Sequence, residues 1–158
     1  EAPMKLKALL LIFPALLFVA CNPSASAPIS CPAGTTAMGS PPPAGDETWC
    51  QKIVDGQPIK DGPFALYRSG GTMMLRGSYH DGKQDGEWTM WYDNGQKGSI
   101  DHYKDGVEDG VHIGWYTNGK ISAQGNYKDG KREGTWKRWD AQGFKNWEEV
   151  YKDDKRIS

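Results

Sequence analysis

The side chains here that could do chemistry are three histidines, three cysteines and a set of carboxylates recurring at a fixed step. Paired carboxylates hydrolyse glycosides when they stand about 5 to 9.5 Å apart. Asp101 and Glu149 share one column of the repeat described below, 48 residues apart. On a sheet that separation is four strand spacings, about 19 Å, so the two cannot be partners. His102 and His112 fall on opposite faces in the register expected from the turns, and His80 sits beside a turn. Neither metal binding nor acid-base pairing follows from them. The chain has no G-x-S-x-G elbow, phosphate-cradling loop, H-E-x-x-H or paired C-x-x-C. A zinc site at Cys31 and Cys50 would need two more ligands, and the nearest histidine is 30 residues past Cys50. A nucleophilic thiol would need a neighbouring base that the sequence does not supply. These residues lead to the expectation of a protein that is not an enzyme, with no catalytic residues, metal site or cofactor.

The third cysteine carries a different chemistry. Lys5 and Lys7 follow Met4, and an unbroken apolar run of 13 residues extends from Ala8 to Ala20. This is the layout of a signal peptide over residues 1–20, with Glu1, Ala2 and Pro3 set aside as a start-site artefact. As a helix the run would span about 20 Å, short of the roughly 30 Å of a bilayer core, and Pro14 interrupts it. The run ends in Leu17, Phe18, Val19, Ala20 and Cys21, which resembles the lipobox of bacterial lipoproteins. The resemblance makes Cys21 the acylated N-terminus and Asn22–Ser30 a tether, residues 21–30. It departs at Phe18, where the family prefers Leu. Asn22 after the cysteine resembles sorting to the outer membrane. Several acyl chains, at about 0.8 kcal/mol per buried CH₂, would hold the protein at a membrane. The alternative is cleavage among Ser24, Ala25, Ser26 and Ala27, releasing a soluble protein.

A leader of this kind delivers the chain to an oxidising compartment, where Cys31 and Cys50 are expected to form a disulfide. The loop they close holds Gly34, Gly39, Pro41, Pro42, Pro43 and Gly45 and almost nothing apolar. Closing it restricts the unfolded chain by about 3 kcal/mol. Charge narrows the partners: 19 Lys and Arg against 20 Asp and Glu give a net of −1. No basic field exists to neutralise phosphates, so nucleic acid is not an expected partner. With 20 glycines in 158 residues turns must dominate, and seven Trp with seven Tyr argue for a packed fold rather than disorder.

The remaining residues repeat at a step of 24. Asp61, Asp85, Asp109 and Glu133 are each followed by glycine, while Gly71, Gly95, Gly119 and Gly143 recur in a second column and Tyr79, Tyr103, Tyr127 and Tyr151 in a third. Two glycine columns in phase make an internal repeat of four units over 61–158 secure. Gly70-Gly71, Asn94-Gly95, Asn118-Gly119 and Gln142-Gly143 read as two-residue hairpin turns. Asp81-Gly82, Asp105-Gly106 and Asp129-Gly130 turn the chain again in longer connections. The expected fold is all-β: an elongated single-layer antiparallel meander of four 24-residue hairpins, about eight strands, with residues 31–60 as a disulfide-closed cap.

Gly86, Trp88, Trp91, Tyr92, Asn94 and Gly95, followed by Tyr103-Lys104-Asp105-Gly106, resemble the MORN-repeat family in its bacterial variant form. The resemblance implies an elongated single-layer sheet used for protein or membrane contact, with no cofactor, and some bacterial members are antitoxins. The chain departs from the pattern at His112, where other units have Phe64, Trp88 and Trp136, and at Asp154, which replaces a turn glycine. A weaker extension upstream, Trp49 to Val54 with Asp55-Gly56, reads as half of a capping unit.

The turn lengths set an expected register: Trp91 opposite Gly98, Trp88 opposite Asp101 and Tyr103 opposite His112. Tyr79 with Trp88, Tyr103 with His112 and Tyr127 with Trp136 then pair on one face. Strict alternation places Tyr67, Trp91, Trp115 and Trp139 on the other, about 9.5 Å apart. This row is either the repeat's own packing or a binding surface for protein or glycan. The sequence therefore reads as a lipid-anchored lipoprotein of the bacterial cell envelope, its repeat sheet an interaction scaffold for a protein partner. A glycan or cell-wall module is the alternative. An antitoxin-type protein in the cytoplasm conflicts with the leader and the cysteines.

Overall fold

The computed structural model describes residues 29–158. Cys21, the leader and most of the tether lie outside them. Twelve strands form one antiparallel sheet: β1 (Thr36–Ser40), β2 (Glu47–Val54), β3 (Gln57–Tyr67), β4 (Met73–His80), β5 (Lys83–Trp91), β6 (Lys97–Lys104), β7 (Val107–Glu108), β8 (Gly110–Trp115), β9 (Ile121–Lys128), β10 (Lys131–Trp139), β11 (Lys145–Lys152) and β12 (Lys155–Arg156). Neighbours in sequence are neighbours in space, except that short β7 pairs β6 at one end while β8 takes over the rest of that ladder. This is the all-β open meander expected: β3 to β6 and β8 to β11 are the eight hairpin strands, with β1 and β2 before them and the two-residue β7 and β12 in addition. Among the described residues there is no helix. The Cys31–Cys50 disulfide closes the N-terminal end with Cα atoms 5.6 Å apart.

The two kinds of turn exchange the roles assigned to them. Asp81 and Gly82 both adopt left-handed φ (48° and 77°), as do Asp105-Gly106 and Asp129-Gly130, and Gly82 is followed at once by the pair His80↔Lys83. These are the tight two-residue turns, of the mirror-image type that strand twist favours. At the other edge only the second residue is left-handed, Gly95 at 80°, and its amide donates to the Tyr92 carbonyl (3.0 Å) while Tyr92 N–H donates to Gln96 (2.8 Å). That is a three-residue loop of an ordinary turn plus one left-handed glycine. Its extra residue shifts the register, so Trp91 faces Lys97 instead of Gly98, while Trp88 faces Asp101 as expected.

A second irregularity shapes the core. Between Arg76↔Thr89 and Ser78↔Asp85, three residues of β5, Gly86 to Trp88, stand opposite Gly77 alone. The same happens at Gly134 to Trp136 opposite Gly125. The indole of Trp88 lies flat on the backbone of Gly77, where an added Cβ would come 2.2 Å from its Cδ2; for Gly125 and Trp136 the figure is 2.1 Å. Only glycine fits there, and Trp88 and Trp136 are 3% and 6% exposed as a result. A single-layer sheet thus obtains a core on one face, with Tyr79 edge-on to Trp88 (5.1 Å) and Tyr127 edge-on to Trp136 (4.9 Å).

Both edges are tied from unit to unit. The amides of Gly82, Gly106 and Gly130 each donate to a carbonyl 22 residues earlier, Lys60, Gln84 and Glu108, at 2.8 Å. At the other edge the Tyr92 and Tyr116 hydroxyls donate to the carbonyls of Trp115 and Trp139, and the Asn94 and Asn118 amides to those of Thr117 and Ala141. The recurring acidic column has a structural use: Asp61, Asp109 and Glu133 accept the backbone N–H of Asp81, Asp129 and Asp153. Asp154 stands where earlier turns have glycine. It adopts φ 64°, and its carboxylate accepts Arg132 N–H (2.9 Å) and Nε–H (3.1 Å). At the far edge β12 and the bonds of Val150 with Ile157 and Ser158 close the charged C-terminus over β11.

Candidate functional site

The middle of the sheet departs from the repeat at two columns together. Where the neighbouring units have Gly77 with Trp88 and Gly125 with Trp136, this unit has Asp101 with His112. The pair Ile100↔Ile113 puts the two side by side, whereas Tyr103 faces Glu108; the expected pairing of Tyr103 with His112 is therefore wrong by the width of the bulge. His112 Nδ1 lies 2.6 Å from Asp101 Oδ1, and Ser99 Oγ–H donates to Asp101 Oδ2 at 2.8 Å. An ionised carboxylate only accepts, so Nδ1 carries the proton of this bond. The imidazole stacks on Trp136 (5.6 Å, 22°) and meets Tyr127 edge-on (6.2 Å). Tyr103 instead approaches Trp88 (6.3 Å). Burial, the largest influence on Asp101, would raise its carboxyl, but the bonds from His112 and Ser99 outweigh it and hold the group below its ordinary 3.8. Sequence reasoning noted His112 as a departure but missed the pair. The signal was the simultaneous loss of glycine at 101 and tryptophan at 112.

This dyad resembles the orienting half of a catalytic or metal site, but its surroundings do not complete one. Ser99 binds the carboxylate and not the imidazole. His102 turns its Nδ1 to the Val111 carbonyl (2.9 Å). Among the described residues no three His, Cys, Asp or Glu side chains come together to hold a metal ion.

On the reverse face the aromatic row takes its place near the Asn-Gly turns. Tyr67 is 6% exposed, buried rather than offered to a partner, and its amide donates to the Asp46 carbonyl (2.6 Å). Trp91, Trp115 and Trp139 are half-buried. Trp91 shares a groove of about 480 Å³ with Glu87 and Thr89 of its own strand, Arg76 and Ser78 of β4 and Lys97 of β6. A smaller groove of about 270 Å³ occupies the equivalent position two units on, lined by Gln124, Asn126, Thr135 and Lys137. Each lies behind a glycine that carries an indole on its other side, Gly77 or Gly125. The sequence did not point to the grooves, which depend on the bulges opposite those glycines. Cys21 lies outside the described residues.

Two stretches, 84–105 and 108–129, match the family model of the MORN repeat variant. Each begins just after a tight Asp-Gly turn and runs to the Asp of the next. No curated protein matches the chain. Repeats of this family suggest a binding or scaffold role, in keeping with a tied sheet that offers grooves and rings but no completed catalytic group. With their hairpin form, Asp-Gly turns and stacked aromatic column, residues 84–105 and 108–129 of this chain are two repeats of the MORN variant.

Proposed function

We propose that the protein is a non-enzymatic lipoprotein of the bacterial cell envelope, held at a membrane, the outer membrane by its Asn22, through acylated Cys21, and that its sheet is a scaffold for a protein partner. The observation that carries the scaffold reading is the double line of ties along the sheet's edges, turn to turn at 22 and 23 residues. They join the repeats into one strip, so a surface that contacts a partner at several units is presented preformed, which reduces the ordering cost of binding. The half-buried Trp91, Trp115 and Trp139 supply flat rings along that strip. The disulfide supports an oxidising compartment, and the Leu17–Cys21 run supports the anchor.

Fractionation of cells expressing Cys21→Ser tests the anchor. The wild type is expected in the membrane pellet and the variant in the soluble fraction; a variant that still sediments with membranes refutes lipidation as the anchor. The groove beside Trp91 favours a second reading of the reverse face, glycan binding.

A further inference from the structure

The Trp91 groove gathers donors, acceptors and charge around one ring, as small-ligand sites do. Its floor is strand β5, with the Thr89 hydroxyl bonded to Glu87 (3.1 Å) and the indole of Trp91 at one end. Arg76 rises from β4 on one side and Lys97 from β6 on the other. Neither cation forms an ion pair with another described residue, unlike Lys52 with Asp61, Lys128 with Asp109 or Arg132 with Asp154. Two unpaired cations against the one carboxylate of Glu87 give a locally positive groove in a chain whose net charge is −1. The cores of protein interfaces are depleted in charge and rich in apolar contact. Here the donors and acceptors surround a single ring, at a volume within the roughly 300 to 1,000 Å³ of small-ligand sites.

We infer that this groove binds an acidic glycan, a pyranose laying its C–H face on Trp91 with its carboxylate between Arg76 and Lys97. An indole offers apolar area to the axial hydrogens of a sugar, the Ser78 hydroxyl suits an equatorial oxygen, and a guanidinium donates to a carboxylate in a planar fork. The groove at Gly125 shares this lining in part: Gln124 stands in the column of Arg76, Lys137 is its one cation, and Trp139 does not line it. From β4 to β9 are four strand spacings, about 19 Å, so one oligosaccharide of a few residues can reach both. This inference rests on the glycan reading of the reverse face, names its ligand class, and does not depend on a protein partner.

The full chain, titrated calorimetrically with a tetramer of α-1,4-galacturonate, its methyl ester and a glutamate tetrapeptide, tests the assignment. The acid tetramer is expected to bind, with the ester and the peptide each weaker by about tenfold or more, since the charge-assisted bonds or the ring contact are lost. Arg76→Ala and Lys97→Ala should each weaken the acid by about five- to tenfold without moving the melting temperature, because both arms are exposed. Trp91→Ala should abolish binding. Absence of heat with the acid, equal affinity for acid and ester, or wild-type affinity in both cation variants overturns the proposal, and equal affinity for the peptide reduces the groove to a general anion site. A protein crosslinked in cells that persists in Arg76→Ala and Lys97→Ala leaves the scaffold reading standing whichever way the glycan result falls.

Discussion

His112→Trp and Asp101→Gly, made singly and together, test whether the central dyad is a substitute for the glycine-tryptophan pair of its neighbours. In the single His112→Trp variant the new indole is directed onto residue 101, as Trp88 is onto Gly77 and Trp136 onto Gly125. An added Cβ at either glycine would meet the ring at 2.2 or 2.1 Å, so the Asp101 side chain blocks it. Overpacking of about 1–3 kcal/mol and a half-buried carboxylate without its partner, about 1–3 kcal/mol, give an expected loss of about 2–6 kcal/mol. In Asp101→Gly the imidazole loses its acceptor and the strand gains a flexible residue, an expected loss of about 2–3 kcal/mol. In the double variant the indole lies on glycine beside Tyr127. Only the glycine's own cost of about 0.5–1 kcal/mol remains, opposed by a ring pair of similar size. The double variant is therefore expected near wild type, with a coupling of at least about 2 kcal/mol in urea unfolding followed by circular dichroism with the disulfide intact. Free energies that add within about 0.5 kcal/mol, or a neutral Asp101→Gly, would refute the reasoning.

Other expectations follow from the same geometry. Gly77→Ala and Gly125→Ala should each lower stability by about 1–3 kcal/mol through the collision with Trp88 or Trp136, whereas Gly70→Ala, with nothing within 4 Å and ordinary φ, should be neutral in the same unfolding assay. Reduction of Cys31–Cys50 should lower stability by about 3 kcal/mol, read as a lower urea midpoint with dithiothreitol and absent in a Cys31→Ser, Cys50→Ser variant. Because Asp101 titrates below its ordinary 3.8 in the folded state, its contribution is present above that pH and disappears as the pH falls through the depressed value. Melting temperatures measured from about pH 5 down to 2 should therefore fall less steeply for Asp101→Asn than for wild type.

Fold class was legible because its signals are local. A step of 24 fixes the units, Asp-Gly and Asn-Gly fix where the chain turns, and two cysteines around a Pro-Gly loop fix the closure. The kind of turn was not legible, since both kinds place glycine at positive φ and differ only in whether the residue before it joins: Asp105 does, at 51°, and Asn94 does not. One extra residue in a turn and two in a bulge then displaced Trp91 from Gly98 and His112 from Tyr103. Alternation within one strand, which does not depend on the neighbour's register, puts Trp91 on the face of Glu87 and Thr89. The Asp101–His112 contact did depend on it, and so did the grooves behind Gly77 and Gly125.

The scaffold claim is tested most directly by crosslinking in intact cells followed by mass spectrometry, comparing the wild type with a folded Trp91→Ala, Trp115→Ala, Trp139→Ala variant. A defined envelope protein crosslinked to the wild type and lost from the variant is the expected result. Crosslinks to no protein, with the chain retained in the cell-wall fraction, would contradict the scaffold, and a partner kept by the variant would move its site off the tryptophan row.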